Sequence, residues 1–194
     1  MEQIEYLSED WYRKRRTAKS LMWVGSLSII MLFAGLTSAY IVRQAEGQWL
    51  YFDIPSTFYI STAILVLCSL TLVLMLRQAK SGNQKMVGNL LLLTLGLGLA
   101  FSFTQFQAWG ELVDAGIFFT GGESNASGSF LYVITGAHLA HLGGGLIALI
   151  FTWIKNALGR YSPENTLGLE LTAMYWHFLD LLWIYLLLFL VYIR

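Results

Sequence analysis

The sequence predicts an all-α integral membrane protein: a bundle of five transmembrane helices with a cytoplasmic N-terminus and a periplasmic C-terminus. Three observations lead there. Of 194 residues 56% are hydrophobic and only 12% are charged, with a formal net charge of zero, which is too apolar for an ordinary soluble domain. Five runs reach the roughly 17–25 mostly apolar residues needed to cross a hydrocarbon core about 30 Å thick. The basic residues collect on one side of those runs. For so apolar a chain of zero net charge, membrane and protein partners are the ones to expect, and nucleic acid is not.

The first run covers 21–42. It is preceded by residues 1–20, a segment rich in Arg13, Lys14, Arg15, Arg16 and Lys19 and containing Trp11. That pattern predicts an amphipathic segment lying along the cytoplasmic surface, its cations near anionic lipid. The run ends Ser38-Ala39-Tyr40-Ile41 without an Ala-x-Ala cleavage pattern, so it is read as a retained helix and not a signal peptide. Residues 21–194 then form one five-helix domain.

The second run, 58–76, holds the single cysteine, Cys68, which excludes an internal disulfide and a multi-thiolate metal site. The third, 86–106, carries Gly88, Gly96 and Ala100. The fourth, 130–153, carries Gly136, Ala140, Gly144 and Ala148 at four-residue spacing, a stripe of small residues that predicts a close helix contact. The fifth is 171–193. The connection 107–129, with its flexible Gly121–Gly128 core, is expected to be the longest and to lie on the outer face.

Orientation follows from charge. Ten of the twelve basic residues (the five named above, Arg77, Lys80, Lys85, Lys155 and Arg160) fall on one face, against Arg43 and Arg194 on the other. The second face also holds Glu46, Asp53, Glu111, Asp114 and Glu123. Positive residues near helix ends stay in the cytoplasm.

The polar residues inside the runs are the candidates for function. His138 and His141 stand three apart in the fourth run, as do His177 and Asp180 in the fifth. A spacing of three places each pair on one helix face. An aspartate in mid-span costs about 2.5–3.5 kcal/mol on the insertion scale, so it persists with a partner or a task. At roughly 1.5 Å per residue His141 and Asp180 both lie near the midplane, and a hydrogen-bonded cluster of His138, His141, His177 and Asp180 is expected. Three histidines and a carboxylate would suffice for zinc or iron, but membrane histidines more often bond across helices, so no metal and no catalytic residue is assigned. Glu170 sits at the inner boundary of the fifth run, seven residues before His177, where a carboxylate facing water is the simple reading.

These motifs together resemble subunit III of the haem-copper terminal oxidases, in a short five-helix form. The resemblance rests on Thr135-Gly136-Ala137-His138-Leu139-Ala140-His141 followed by Glu170 and Trp176-His177-Phe178-Leu179-Asp180-Leu181-Leu182-Trp183, in the family's order and spacing. Two departures stand out: the first two helices of seven-helix members are missing, and Ile29 occupies the place where the family often has a buried glutamate. The resemblance implies a non-catalytic subunit of a proton-pumping respiratory oxidase that reduces oxygen to water. Such a subunit stabilises catalytic subunit I, lies in the same complex as subunit II, binds phospholipid and assists proton uptake, in a bacterial inner membrane and within a larger respiratory assembly where one forms. Haem and copper belong to the partner subunits, and the electron donor is set there too. On this reading His138, His141, Glu170, Trp176, His177, Asp180 and Trp183 make structural, lipid or subunit contacts. The rivals are a small transporter or metal-binding membrane protein using the histidine–aspartate cluster, which predicts stoichiometric metal, and a membrane enzyme using the same four residues.

Overall fold

A computed structural model describes residues 2–47, 49–122 and 124–193, with side chains from residue 11 onward; Glu123 and Arg194, both counted in the charge bias, lie outside the described residues. The five runs are five helices: α1 (Glu2–Ala45), α2 (Thr57–Lys80), α3 (Gln84–Asp114), α4 (Ala126–Ala157) and α5 (Leu167–Tyr192). All five are long and apolar enough to span a membrane. No strand occurs among the described residues.

Local chemistry sets the ends. α2, α3 and α4 each stop where a glycine takes a positive φ, at Gly82, Gly116 and Gly159. The carbonyls left over in each last turn are met by backbone donors from beyond the helix, as Ile117 N–H donates to Leu112 and Arg160 N–H to Lys155. Asn83 and Asn125 open α3 and α4 by accepting from the backbone of Met86 and Ser127 at 3.2 and 3.0 Å.

The helices run past their expected ends. α3 continues to Asp114 because its outer polar residues have partners: Gln105 Nε2 donates to Ser61 Oγ at 2.9 Å and Thr57 donates to Glu111. The connection that remains, 115–125, is therefore the same length as 46–56, and the two are jointly the longest. α1 is unbroken from Glu2 to Ala45, so the basic segment continues the axis of the first spanning helix instead of lying separately along the surface.

α2, α3, α4 and α5 form a closed ring, each touching its neighbours, and α1 lies outside on the seam between α4 and α5. One stripe of buried positions on each helix explains the ring. In α3 it runs Val87, Leu91, Thr94, Gly98, Phe101, Gln105, Ala108 and Leu112, and in α4 Gly128, Leu131, Thr135, His138, Leu142, Gly145, Leu149, Thr152 and Asn156. Phe58, Ser61, Leu65, Cys68, Leu72, Met75 and Ala79 continue the pattern in α2, as do Leu169, Ala173, Trp176, Asp180, Trp183, Leu187 and Leu190 in α5. Along this stripe the step alternates between three and four, a 3.5-residue repeat that faces the bundle axis and implies left-handed packing. Further buried residues widen it on either side, such as Leu90 in α3, Ile134 in α4 and Thr172, Leu179 and Leu186 in α5.

The four-residue stripe in α4 does not behave as expected. Steps of four advance about 40° each around a helix, so Gly136 and Ala148 differ by about 120° and the line winds off the bundle seam. A methyl built on Gly136 would meet the Trp109 ring and one on Gly144 would lie 3.7 Å from the Tyr175 hydroxyl, while Ala140 is exposed and Ala148 half-buried. The close approaches belong to Gly98 and Gly145, where Trp176 lies over the backbone. Trp176 Nε1 donates to the Gly145 carbonyl at 3.2 Å, and the ring is fully buried.

A methyl at Gly98 would stand 2.8 Å from the Trp176 ring and 2.9 Å from Leu146, whereas one at Gly96 would meet nothing within 4 Å. Gly98→Ala should therefore lower stability, because about 1–3 kcal/mol of overpacking exceeds the ~1 kcal/mol gained in helix propensity. Gly96→Ala should be neutral or stabilising. Thermal unfolding of the purified chain in detergent compares the two.

Candidate functional site

Seam position decides what each candidate residue touches. His138 sits on the seam of α4 and is fully buried. Its ring stands 5.0 Å from the Trp183 ring and 6.0 Å from Phe101, centre to centre. Neither ring nitrogen has a hydrogen-bond partner among the described residues. His141, three residues on, is displaced about 60° around the helix and faces α1. Its Nδ1 donates to the Ala137 carbonyl at 2.7 Å, since a carbonyl can only accept, and its ring lies 5.8 Å from Phe33.

The fifth-helix pair faces the other way, toward α2. His177 Nδ1 and Ser69 Oγ are 2.6 Å apart. Asp180 is buried beside Ser69 and Cys68, and neither of its oxygens meets hydrogen-bond geometry with a partner among the described residues. The Ser69 hydroxyl lies close enough to interact with Asp180, but its well-formed bond is to His177. Trp183, one turn further, donates from Nε1 to Thr62 Oγ1 at 2.9 Å and packs edge-on against Phe101.

The four-residue cluster expected from depth alone is thus divided into three environments. His138 lies in an aromatic box, His141 on its own helix and His177 with Asp180 against Ser69. No group of three or more His, Cys, Asp or Glu side chains close enough to hold a metal exists among the described residues. The transporter and metal-binding readings, and the enzyme reading built on the same four residues, lose the assembled cluster on which they rested.

Glu170 also departs from the simple reading. Instead of facing water it accepts from Arg15 at 2.5 Å and from Lys19 at 2.6 Å, both on α1, and from the Thr166 hydroxyl at 2.9 Å. Its side chain is only 12% exposed. The partners lie more than 150 positions away in sequence, so the only early signal was charge: one carboxylate at the depth of a cationic cluster.

Other polar contacts pin neighbouring helices. Thr71 and Thr94 lie 2.8 Å apart across α2 and α3, and Thr152 and Thr172 the same distance apart across α4 and α5. Trp109 Nε1 donates to Thr135 at 3.0 Å, and the Tyr175 hydroxyl to the His141 carbonyl at 2.9 Å. Ser69, Thr62, Gly98 and Gly145 were absent from the sequence-derived site. They are small or weakly polar residues whose partners sit on other helices.

Between α1 and α5 runs an apolar groove of about 270 Å³, lined by Met22, Trp23, Ser26, Met174, His177, Phe178 and Leu181. Toward the C-terminal end of α5 it adjoins a second of about 350 Å³ that shares Phe178 and Leu181. His177 is the one imidazole on these walls, held from behind by Ser69.

The family model described as cytochrome c oxidase subunit III matches residues 51–194, which includes all of α2 through α5. The chain belongs to the cytochrome c oxidase subunit III family. A relative from Nocardia farcinica, named a probable cytochrome c oxidase subunit 3, is 32% identical over 175 residues, covering 85% of this chain and 81% of the relative. One from Mycobacterium leprae with the same name is 30% identical over 184 residues, covering 90% and 86%. A Rickettsia felis relative is 38% identical over 140 residues, which make up 71% of this chain but only 47% of that one.

The geometry separates the two polar motifs by what their loss should cost. Ser69→Ala removes an interhelical bond, a loss of about 0.6–1.7 kcal/mol for such bonds in membranes. His138→Leu removes no hydrogen bond and relieves two unpartnered nitrogens, so stability should hold or rise. Unfolding midpoints of the two variants in detergent check both expectations.

Proposed function

We propose that this chain, as subunit III of a respiratory haem-copper oxidase and a component of a multi-subunit membrane complex, carries no haem or copper of its own. It binds phospholipid in the groove between α1 and α5, keeps catalytic subunit I intact during turnover, and assists proton entry from the cytoplasmic side. It lies in a bacterial inner membrane beside subunits I and II, and within a larger respiratory assembly where one forms. The N-terminus is cytoplasmic and the C-terminus periplasmic, supported by the ten-to-two division of basic residues. His138, His141, Glu170, Trp176, His177, Asp180 and Trp183 act here through packing, lipid and subunit contacts and form no covalent intermediate.

The observation that carries the reading is the groove. Its walls are almost wholly apolar apart from His177 and Ser26, and at its cytoplasmic mouth stand the cations Arg15 and Lys19. That combination suits an acyl chain with a headgroup at the interface.

Removing this chain from the oxidase should leave the reduced-minus-oxidised haem spectrum present while activity decays faster over repeated turnovers. A depleted complex as active and as durable as the intact one would overturn the reading. Asp180→Asn gives a finer measurement. A mid-span aspartate opposes insertion by about 2.5–3.5 kcal/mol, so the variant's thermal stability should be unchanged or raised. A shorter turnover lifetime in the same variant would mark the carboxyl as functional, whereas an unchanged lifetime would mark it as dispensable.

A further inference from the structure

α1 is held at its two ends by different forces. At the outer end Tyr40 is buried among rings, 4.6 Å from Trp49, 5.2 Å from Phe189 and 5.9 Å from Phe130 between centres. Thr37, also buried, lies 3.4 Å from the Tyr185 hydroxyl. Toward the cytoplasm, from Trp11 to Gly25, no α1 residue is buried; Trp11, Arg15, Ala18, Lys19 and Met22 are half-buried along a single line.

Space flanks that line on both sides. The groove of about 270 Å³ lies along one flank, and another of about 440 Å³, lined by α1 from Ala18 to Ile29 and by Tyr175, lies along the other. A methyl built on Gly25 would touch nothing within 4 Å, so no close backbone contact fastens the helix there. This half of α1 is bonded to α5 by the ion pairs of Glu170 with Arg15 and Lys19.

We propose that α1 is a strap hinged at its outer aromatic clasp and latched at its cytoplasmic end by Glu170, so that release of the latch swings the inner half of α1 away from α5 and opens the groove. An apolar clasp is insensitive to salt, while an ion pair is weakened by added ions; with Glu170 12% exposed and its cations 31% and 36% exposed, 1 M salt weakens the latch in part, and loss of the charge weakens it fully. The two ends therefore respond differently to one variable. The latch stands without the lipid reading, since it concerns the helix and not what fills the groove.

The test uses the intact oxidase complex in nanodiscs, with pairs of spin labels on exposed positions of this chain. Ser20→Cys with Lys85→Cys reports the inner end of α1 against α3, and Ser38→Cys with Asp114→Cys reports the outer end. The latch predicts that 1 M salt shifts the inner-pair distances to longer values in the otherwise native chain. Glu170→Gln should produce that shift already at low salt and abolish further salt dependence, with the outer pair unchanged throughout. The double variant Arg15→Gln, Lys19→Gln, which removes the latch from the other helix, should reproduce the Glu170→Gln distances. Inner-pair distances that remain native in both variants would overturn the proposal, as would an outer pair that shifts together with the inner one. If phospholipid retention changes while the distances do not, the latch fails and the lipid reading survives.

Discussion

The structure depends on one packing rule, the strict alternation of three- and four-residue steps along the buried stripes of α2 to α5. In lipid there is no hydrophobic force between helices, because the acyl chains are as apolar as leucine; close packing and interhelical hydrogen bonds hold the bundle. The stripe supplies both. Its small residues, Gly98 and Gly145, admit the Trp176 ring, and its polar residues, Ser61, Thr94, Gln105 and Thr152, bond to neighbouring helices. The late motif belongs to the same scheme. Trp176, Asp180 and Trp183 are consecutive positions of the α5 stripe, while His177 lies one residue off it and so reaches the groove wall.

The number of helices, their approximate spans and the family were legible in the sequence, because spanning length is a property of single segments and the late motifs carry the family's spacing. The facing of each helix was harder to read. Both faces of a membrane helix are apolar, so the contrast that marks the inner face of a soluble helix is missing. Small and polar residues at alternating spacing would have revealed it. The regular four-residue stripe from Gly136 to Ala148 drew attention to a line that winds around the helix instead. The sequence put His141 and Asp180 at similar depth, but equal depth is not contact. Two histidines three residues apart straddle a seam, and here one faces Trp183 while the other faces Phe33.

Two features resisted sequence reading for a different reason. The ends of α3 and α4 lie beyond the apolar runs, where polar side chains bond to neighbours that only the fold supplies, as Glu111 does with Thr57 and Asn156 with the Gln84 carbonyl. Glu170 looked solvated because its partners lie on a segment expected to rest elsewhere. Once α1 is continuous, Arg15 and Lys19 stand over it, and an ordinary interfacial carboxylate becomes the inner fastening of the outermost helix. Family membership explains why the motifs occur together; the seam explains where each residue points.

The most direct measurement is an electron cryo-microscopy map of the intact oxidase that resolves the side chains of this chain. The account predicts His138 between Phe101 and Trp183, with Ser69 bonded to His177 on the opposite side of the ring. Density joining His138, His141, His177 and Asp180 around a shared centre would contradict it.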